Sequence, residues 1–208
     1  MNKQFRVLTL NAIALCAACT LWVGSADASL VGDTVTVDHL FPDGATSLNG
    51  DGWPASVVVG AGTGDTITFY HGYPFAYNVN VEANSILVDY SYMPGASGTW
   101  PDNCFQFSCE IGAVVSFNGL GVSGLNDSSG NALQNVLVNT NMVGWNSLSM
   151  LSFGADYVLF DWKGLSFDDA TYFNATLEFT PVPLPPAVLL LGSGLIGLFG
   201  MAKRKARV

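Results

Sequence analysis

Between residues 29 and 180 the apolar side chains recur at every second position, and that period lets only an extended strand bury one face. Val35 and Val37 lead into Leu40 and Phe41, and Ile67 and Phe69 repeat the alternation further on. The same period predicts strands over Val31 to Phe41, Ser56 to Val59, Thr66 to Tyr70, Tyr77 to Val81 and Ser85 to Tyr90. In the second half it predicts Ala113 to Phe117, Ala132 to Val138, Tyr157 to Trp162 and Thr171 to Phe179. Gly, Asn, Asp and Ser clusters separate them, among them Pro42-Asp43-Gly44, residues 49–52, residues 60–64, Asn118-Gly119 and residues 128–130. Asn131 to Leu137 has room for a helical turn, but its Val and Asn content argues for a strand. The expected fold is all-β, a jelly-roll-like sandwich.

Charge narrows the partners. Of seven Lys and Arg only Lys163 falls in this stretch, against all but one of the sixteen Asp and Glu, a net charge of −14. A domain with one base cannot grip a phosphate backbone, which excludes nucleic acid. It suits an acidic, soluble module able to attract divalent cations.

The two ends read as targeting segments. Lys3 and Arg6 precede an apolar stretch from Val7 to Val23, and Ala26-Asp27-Ala28 offers small residues for cleavage. Residues 1–28 are therefore expected to form a secretory signal helix that is removed. Cys16-Ala17-Ala18-Cys19 lacks the leucine of a lipoprotein signal. At the other end, residues 181–208 show three zones. Pro181, Pro183, Pro185 and Pro186 make a rigid collar, an uncharged run spans residues 187–202, and Lys203, Arg204, Lys205 and Arg207 follow. Bases directly after an apolar run mark the cytoplasmic end of a transmembrane helix. A 16-residue helix reaches about 24 Å, short of a ~30 Å hydrocarbon core, which snorkelling bases and local thinning accommodate. Gly192-Ser193-Gly194-Leu195-Ile196-Gly197 spells a dinucleotide fingerprint but sits in no βαβ unit.

This tail resembles the PEP-CTERM sorting signals of bacteria that export exopolysaccharide, in the VPLPA variant. The likeness rests on Val182, Pro183, Leu184 and Pro185, the apolar helix and the basic end, with Pro186 where the variant usually has Ala. It implies an inner-membrane precursor, recognised at residues 182–186 by an exosortase-like protease-transpeptidase. The product would then be released to the cell surface or extracellular matrix. The middle, residues 29–180, also resembles a group of β-rich secreted proteins that carry the same signal. That likeness rests on Leu30-Val31-Gly32-Asp33-Thr34-Val35 with Leu40-Phe41-Pro42, on Ser116-Phe117-Asn118-Gly119 and on Trp162-Lys163-Gly164-Leu165-Ser166-Phe167, and implies no activity.

Candidate sites are few. Cys104 and Cys109 remain after the signal is removed, and two cysteines in an exported domain most simply pair as one disulfide. Tyr90, Tyr92, Trp100, Phe105 and Phe107 lie among Gly, Ser, Pro and Asn in one long connection. They are candidates either to bind an extracellular polysaccharide or to cap the open end of the sandwich as buried rings. Ser47-Leu48-Asn49-Gly50-Asp51-Gly52 resembles the front of a calcium loop, with Asn49 and Asp51 as ligands for a structural calcium, but Val58 stands where the bidentate acid belongs. Residues 32–39 are echoed by residues 64–71, each a Gly-Asp turn and strand ending in a histidine, His39 or His71. The echo reads either as two similar strand entries or as two histidines on one rim, holding a metal or acting as an acid/base pair. No G-x-S-x-G and no HExxH occurs, and no pair of the acids is singled out. The reading is a non-enzymatic matrix protein, structural or adhesive, with a glycan-binding module next and a secreted hydrolase last.

Overall fold

The computed structural model describes residues 29–48, 53–60, 66–104, 113–125 and 131–180. The compact unit to which they belong is Ala28–Thr180. The signal segment 1–28, the sorting motif 182–186, the span 187–202 and the basic tail 203–208 lie outside the described residues. Among the described residues no helix is long and apolar enough to cross a membrane.

The all-β expectation holds, with two five-stranded antiparallel sheets in a sandwich-like arrangement. The first orders β2 (Ala55–Val58), β1 (Thr34–Leu40), β7 (Gly119–Ser123), β10 (Tyr157–Asp161) and β9 (Leu151–Phe153). The second orders β3 (Thr66–Tyr70), β4 (Ala76–Val81), β5 (Ser85–Asp89), β12 (Tyr172–Phe179) and β8 (Leu133–Thr140). A two-stranded ribbon pairs β6 (Ser97–Thr99) with β11 (Ser166–Asp168). A short helix, α1 (Ser147–Met150), is a single turn capped by Asn146, whose side chain accepts from the Leu148 N–H.

Parity builds the core. Val35, Val37, Leu120, Val122, Val158 and Phe160 of the first sheet and Phe69, Tyr77, Val79, Ile86, Val88, Phe173 and Leu177 of the second are all buried in one cluster. At about 25 cal/mol per Å² of apolar surface, that cluster is the main force holding the fold.

One expected strand is wrong. Residues Ala113 to Phe117 contribute only an isolated bridge, Asn103 to Val114, whereas the strand begins at Gly119, inside the expected turn. The physical reason lies in the glycines. A Cβ on Gly119 would overlap the carbonyl oxygen of Phe160, and one on Gly121 would stand 2.8 Å from Leu40 Cδ1 and 3.2 Å from Leu159 Cδ2. These glycines therefore mark a crowded central strand rather than a break. β6, β9 and β11 have three residues each, too few for a period of two to register.

Candidate functional site

The alternation of β1 carries a histidine into the core. His39 follows Val35 and Val37 on the inward face and is fully buried, so both ring nitrogens need partners. Nδ1 lies 2.7 Å from the Tyr77 hydroxyl and Nε2 lies 2.9 Å from Asn118 Oδ1. The Asn118 amide donates its NH2 to the Pro101 carbonyl at 2.9 Å, which turns Oδ1 toward the ring. His39 therefore donates from Nε2, and the Tyr77 hydroxyl donates to Nδ1. The ring stacks on Phe69 at 4.6 Å between centroids and lies 4.8 Å from Trp100. Burial pulls the His39 pKa down to about 3, with the Asn118 bond opposing and the charge of His71 adding to the fall. The same burial pushes the Tyr77 and Tyr90 hydroxyls well above their usual range.

His39 and His71 do not form a shared site. His71 is exposed, and the Phe69 ring stacks on both imidazoles, at 4.6 Å and 6.2 Å. With both nitrogens engaged inside the core, His39 has none to offer a metal or a substrate. Among the described residues no group of three or more His, Cys, Asp or Glu is placed to hold a metal ion. The calcium candidates Asn49 and Asp51 lie outside the described residues.

The expected aromatic loop splits. Tyr90 and Trp100 are buried, and the Trp100 indole donates to the Tyr90 hydroxyl at 3.1 Å. Neither ring presents a face to solvent. Tyr92 is 48% exposed, while Phe105 and Phe107 lie outside the described residues. Cys104 is buried against Phe41 and Val115, and Cys109 lies outside the described residues.

A different surface gathers polar groups in register. On the outer face of the second sheet, Thr66, Asn80, Leu87, Asn174 and Asn139 form one row across β3, β4, β5, β12 and β8. Beside it runs Thr68, Asn78, Asp89 and Tyr172. Tyr70 and Tyr172 are exposed on this face. The Thr68 hydroxyl donates to Asn78 Oδ1 at 2.8 Å, and Asn80 Nδ2 donates to Glu82 at 3.2 Å. The side-chain oxygens of Asn80 and Asn174 are buried without a hydrogen-bond partner.

Comparison with family models, curated proteins and solved structures finds no match to this chain. The sequence reading missed this face although its signal was present. Thr66, Thr68 and Tyr70 alternate with Ile67 and Phe69, and Tyr172, Asn174 and Thr176 alternate with Phe173 and Ala175.

Proposed function

We infer that this chain is an exported bacterial protein, made as an inner-membrane precursor and moved to the cell surface or extracellular matrix. An exosortase-like protease-transpeptidase would process it at residues 182–186, and its role there is structural or adhesive rather than catalytic. One observation carries this reading: a proline motif, an apolar run and a basic end follow one another in that order over residues 181–208. A signal-like segment over residues 1–28 and an acidic middle with a single base support it. A sandwich of antiparallel sheets, which we read as jelly-roll-like, suits a matrix role because such scaffolds are rigid without a cofactor. The engagement of both His39 nitrogens inside the core supports a structural rather than catalytic histidine. We also take Cys104 and Cys109 to be paired in the exported product.

A second reading, a glycan-binding module, is favoured by the polar outer face of the second sheet rather than by Tyr90 and Trp100. Cell fractionation tests the first reading. In the native host the wild-type chain should reach the outer surface or medium. The double variant Pro183→Ala, Pro185→Ala should stay in the inner membrane. Equal release of both would sink the sorting role.

A further inference from the structure

The geometry points to the outer face of the β3-β4-β5-β12-β8 sheet as a binding platform for a neutral polysaccharide laid across the strands. The inference deepens the glycan-binding reading and rests on it. Three observations carry it. The first is the row itself: Thr66, Asn80, Leu87, Asn174 and Asn139 are uncharged and stand in register across all five strands. Strands lie about 4.8 Å apart, so the row offers a track roughly 19 Å long.

The second observation is what the row lacks. The side-chain oxygens of Asn80 and Asn174 are buried acceptors without partners, a costly state in a folded protein. They sit on β4 and β12, on either side of Leu87 and two strand spacings apart, about 10 Å, a span that suits a disaccharide unit. The acids bordering the row are already served. Glu82 accepts from Asn80 Nδ2 and the Ser85 hydroxyl, Asp89 from the Ser91 N–H and hydroxyl, and Glu178 from Asn135 Nδ2. What remains unmet on the row is demand for donors at two amide oxygens, and a sugar hydroxyl is a neutral donor of that kind.

The third observation selects the ligand class. Tyr172, 45% exposed and two residues from Asn174 on the same face of β12, supplies aromatic surface for the C–H groups of a sugar, and Tyr70, 42% exposed, adds more further along β3. No Lys or Arg stands on this face, because residue 163 is the only base between 29 and 180 and its Nζ reaches the Ser116 carbonyl. An anionic polymer would find no cation here and would face the bordering carboxylates of Glu82, Asp89 and Glu178.

Affinity electrophoresis of the full-length chain in mild detergent tests this, with hydroxyethylcellulose and dextran as neutral probes and alginate as the acidic one. Retardation by a neutral probe and not by alginate is expected. Tyr172→Ala and Asn174→Ala should each weaken it about tenfold or more while the melting temperature stays within a degree or two of wild type. Asn174→Ala removes an unpartnered acceptor, so loss of folding is not expected from it. Retardation untouched by both variants but lost in Tyr92→Ala would overturn the platform and leave the glycan-binding reading standing elsewhere. Failure of the wild type to bind either neutral probe would overturn both, without touching the sorting reading.

Discussion

His39 Nε2 donates to Asn118 Oδ1 across 2.9 Å, and the bond's direction is set by a third group, the Pro101 carbonyl that takes the Asn118 NH2. A strand residue, a loop amide and a backbone carbonyl thus lock one imidazole tautomer in the centre of the sandwich. Asn118 is held in turn, since its N–H donates to Asp161 Oδ1 at 3.1 Å at the end of β10.

This arrangement predicts acid sensitivity. The folded pKa of His39 is about 3, below the usual 6.5, so between those values the unfolded chain binds a proton that the folded chain refuses. Stability is then full above pH 6.5 and falls as pH drops toward 3, by roughly 3–5 kcal/mol. Asp38 acts in the opposite sense in the carboxylate range, because burial raises its pKa against the pull of its Ser47 and backbone hydrogen bonds. Urea unfolding at pH 7.5, 6, 5 and 4 measures the slope. His39→Gln, which can still donate and accept, should be less stable at neutral pH but lose most of the slope.

The glycines of β7 should separate sharply. Gly119→Ala places a methyl on the Phe160 carbonyl oxygen, which belongs to backbone and cannot step aside. We expect a loss of more than about 4 kcal/mol, or no folded protein. Gly121→Ala meets the tips of Leu40 and Leu159 instead, and should cost about 1–3 kcal/mol as those side chains shift. Chemical denaturation of both variants checks the ranking.

For Tyr90 and Trp100 the sequence left two readings open, a sugar-binding loop or rings buried as a cap on the sandwich, and the structure bears out the buried one. A loop rich in Gly, Ser and Pro is compatible with either, and tertiary packing decides between them. The strand elements were more accessible. The bounds of β3 match the expected run, and β1, β4, β5, β8, β10 and β12 fall within a few residues of theirs, because each alternates over five positions or more. β7 stayed hidden because Gly119 and Gly121 look like a turn until the neighbouring backbones are in place. The Asn80 to Asn174 row needed register, which pairs Leu87 with Asn174 from the far end of the domain and which no local pattern encodes.

Removing the Tyr90 hydroxyl should expose the cost of an unmet indole. Tyr90→Phe leaves Trp100 Nε1 buried without its acceptor, and we expect a loss of about 1–3 kcal/mol. Trp100→Ala should cost about 3–5 kcal/mol through the cavity it opens, so a loss of glycan binding in that variant would report unfolding. Thermal melts of the two variants distinguish these sizes.

The proposed Cys104–Cys109 pair closes a loop of six residues, which in the chain-entropy account stabilises by only about 2 kcal/mol. Reduction should lower the melting temperature by several degrees without abolishing folding. Alkylation of the unreduced, denatured mature protein followed by mass spectrometry should add no label. Label on both cysteines would show that they are not joined.

The intact mass of the mature protein, recovered from the surface or medium of its native host, tests the account most directly. The account predicts a species that begins after residue 28 and ends within or just after residues 182–186. A mass that still includes Lys203 to Val208 would contradict it.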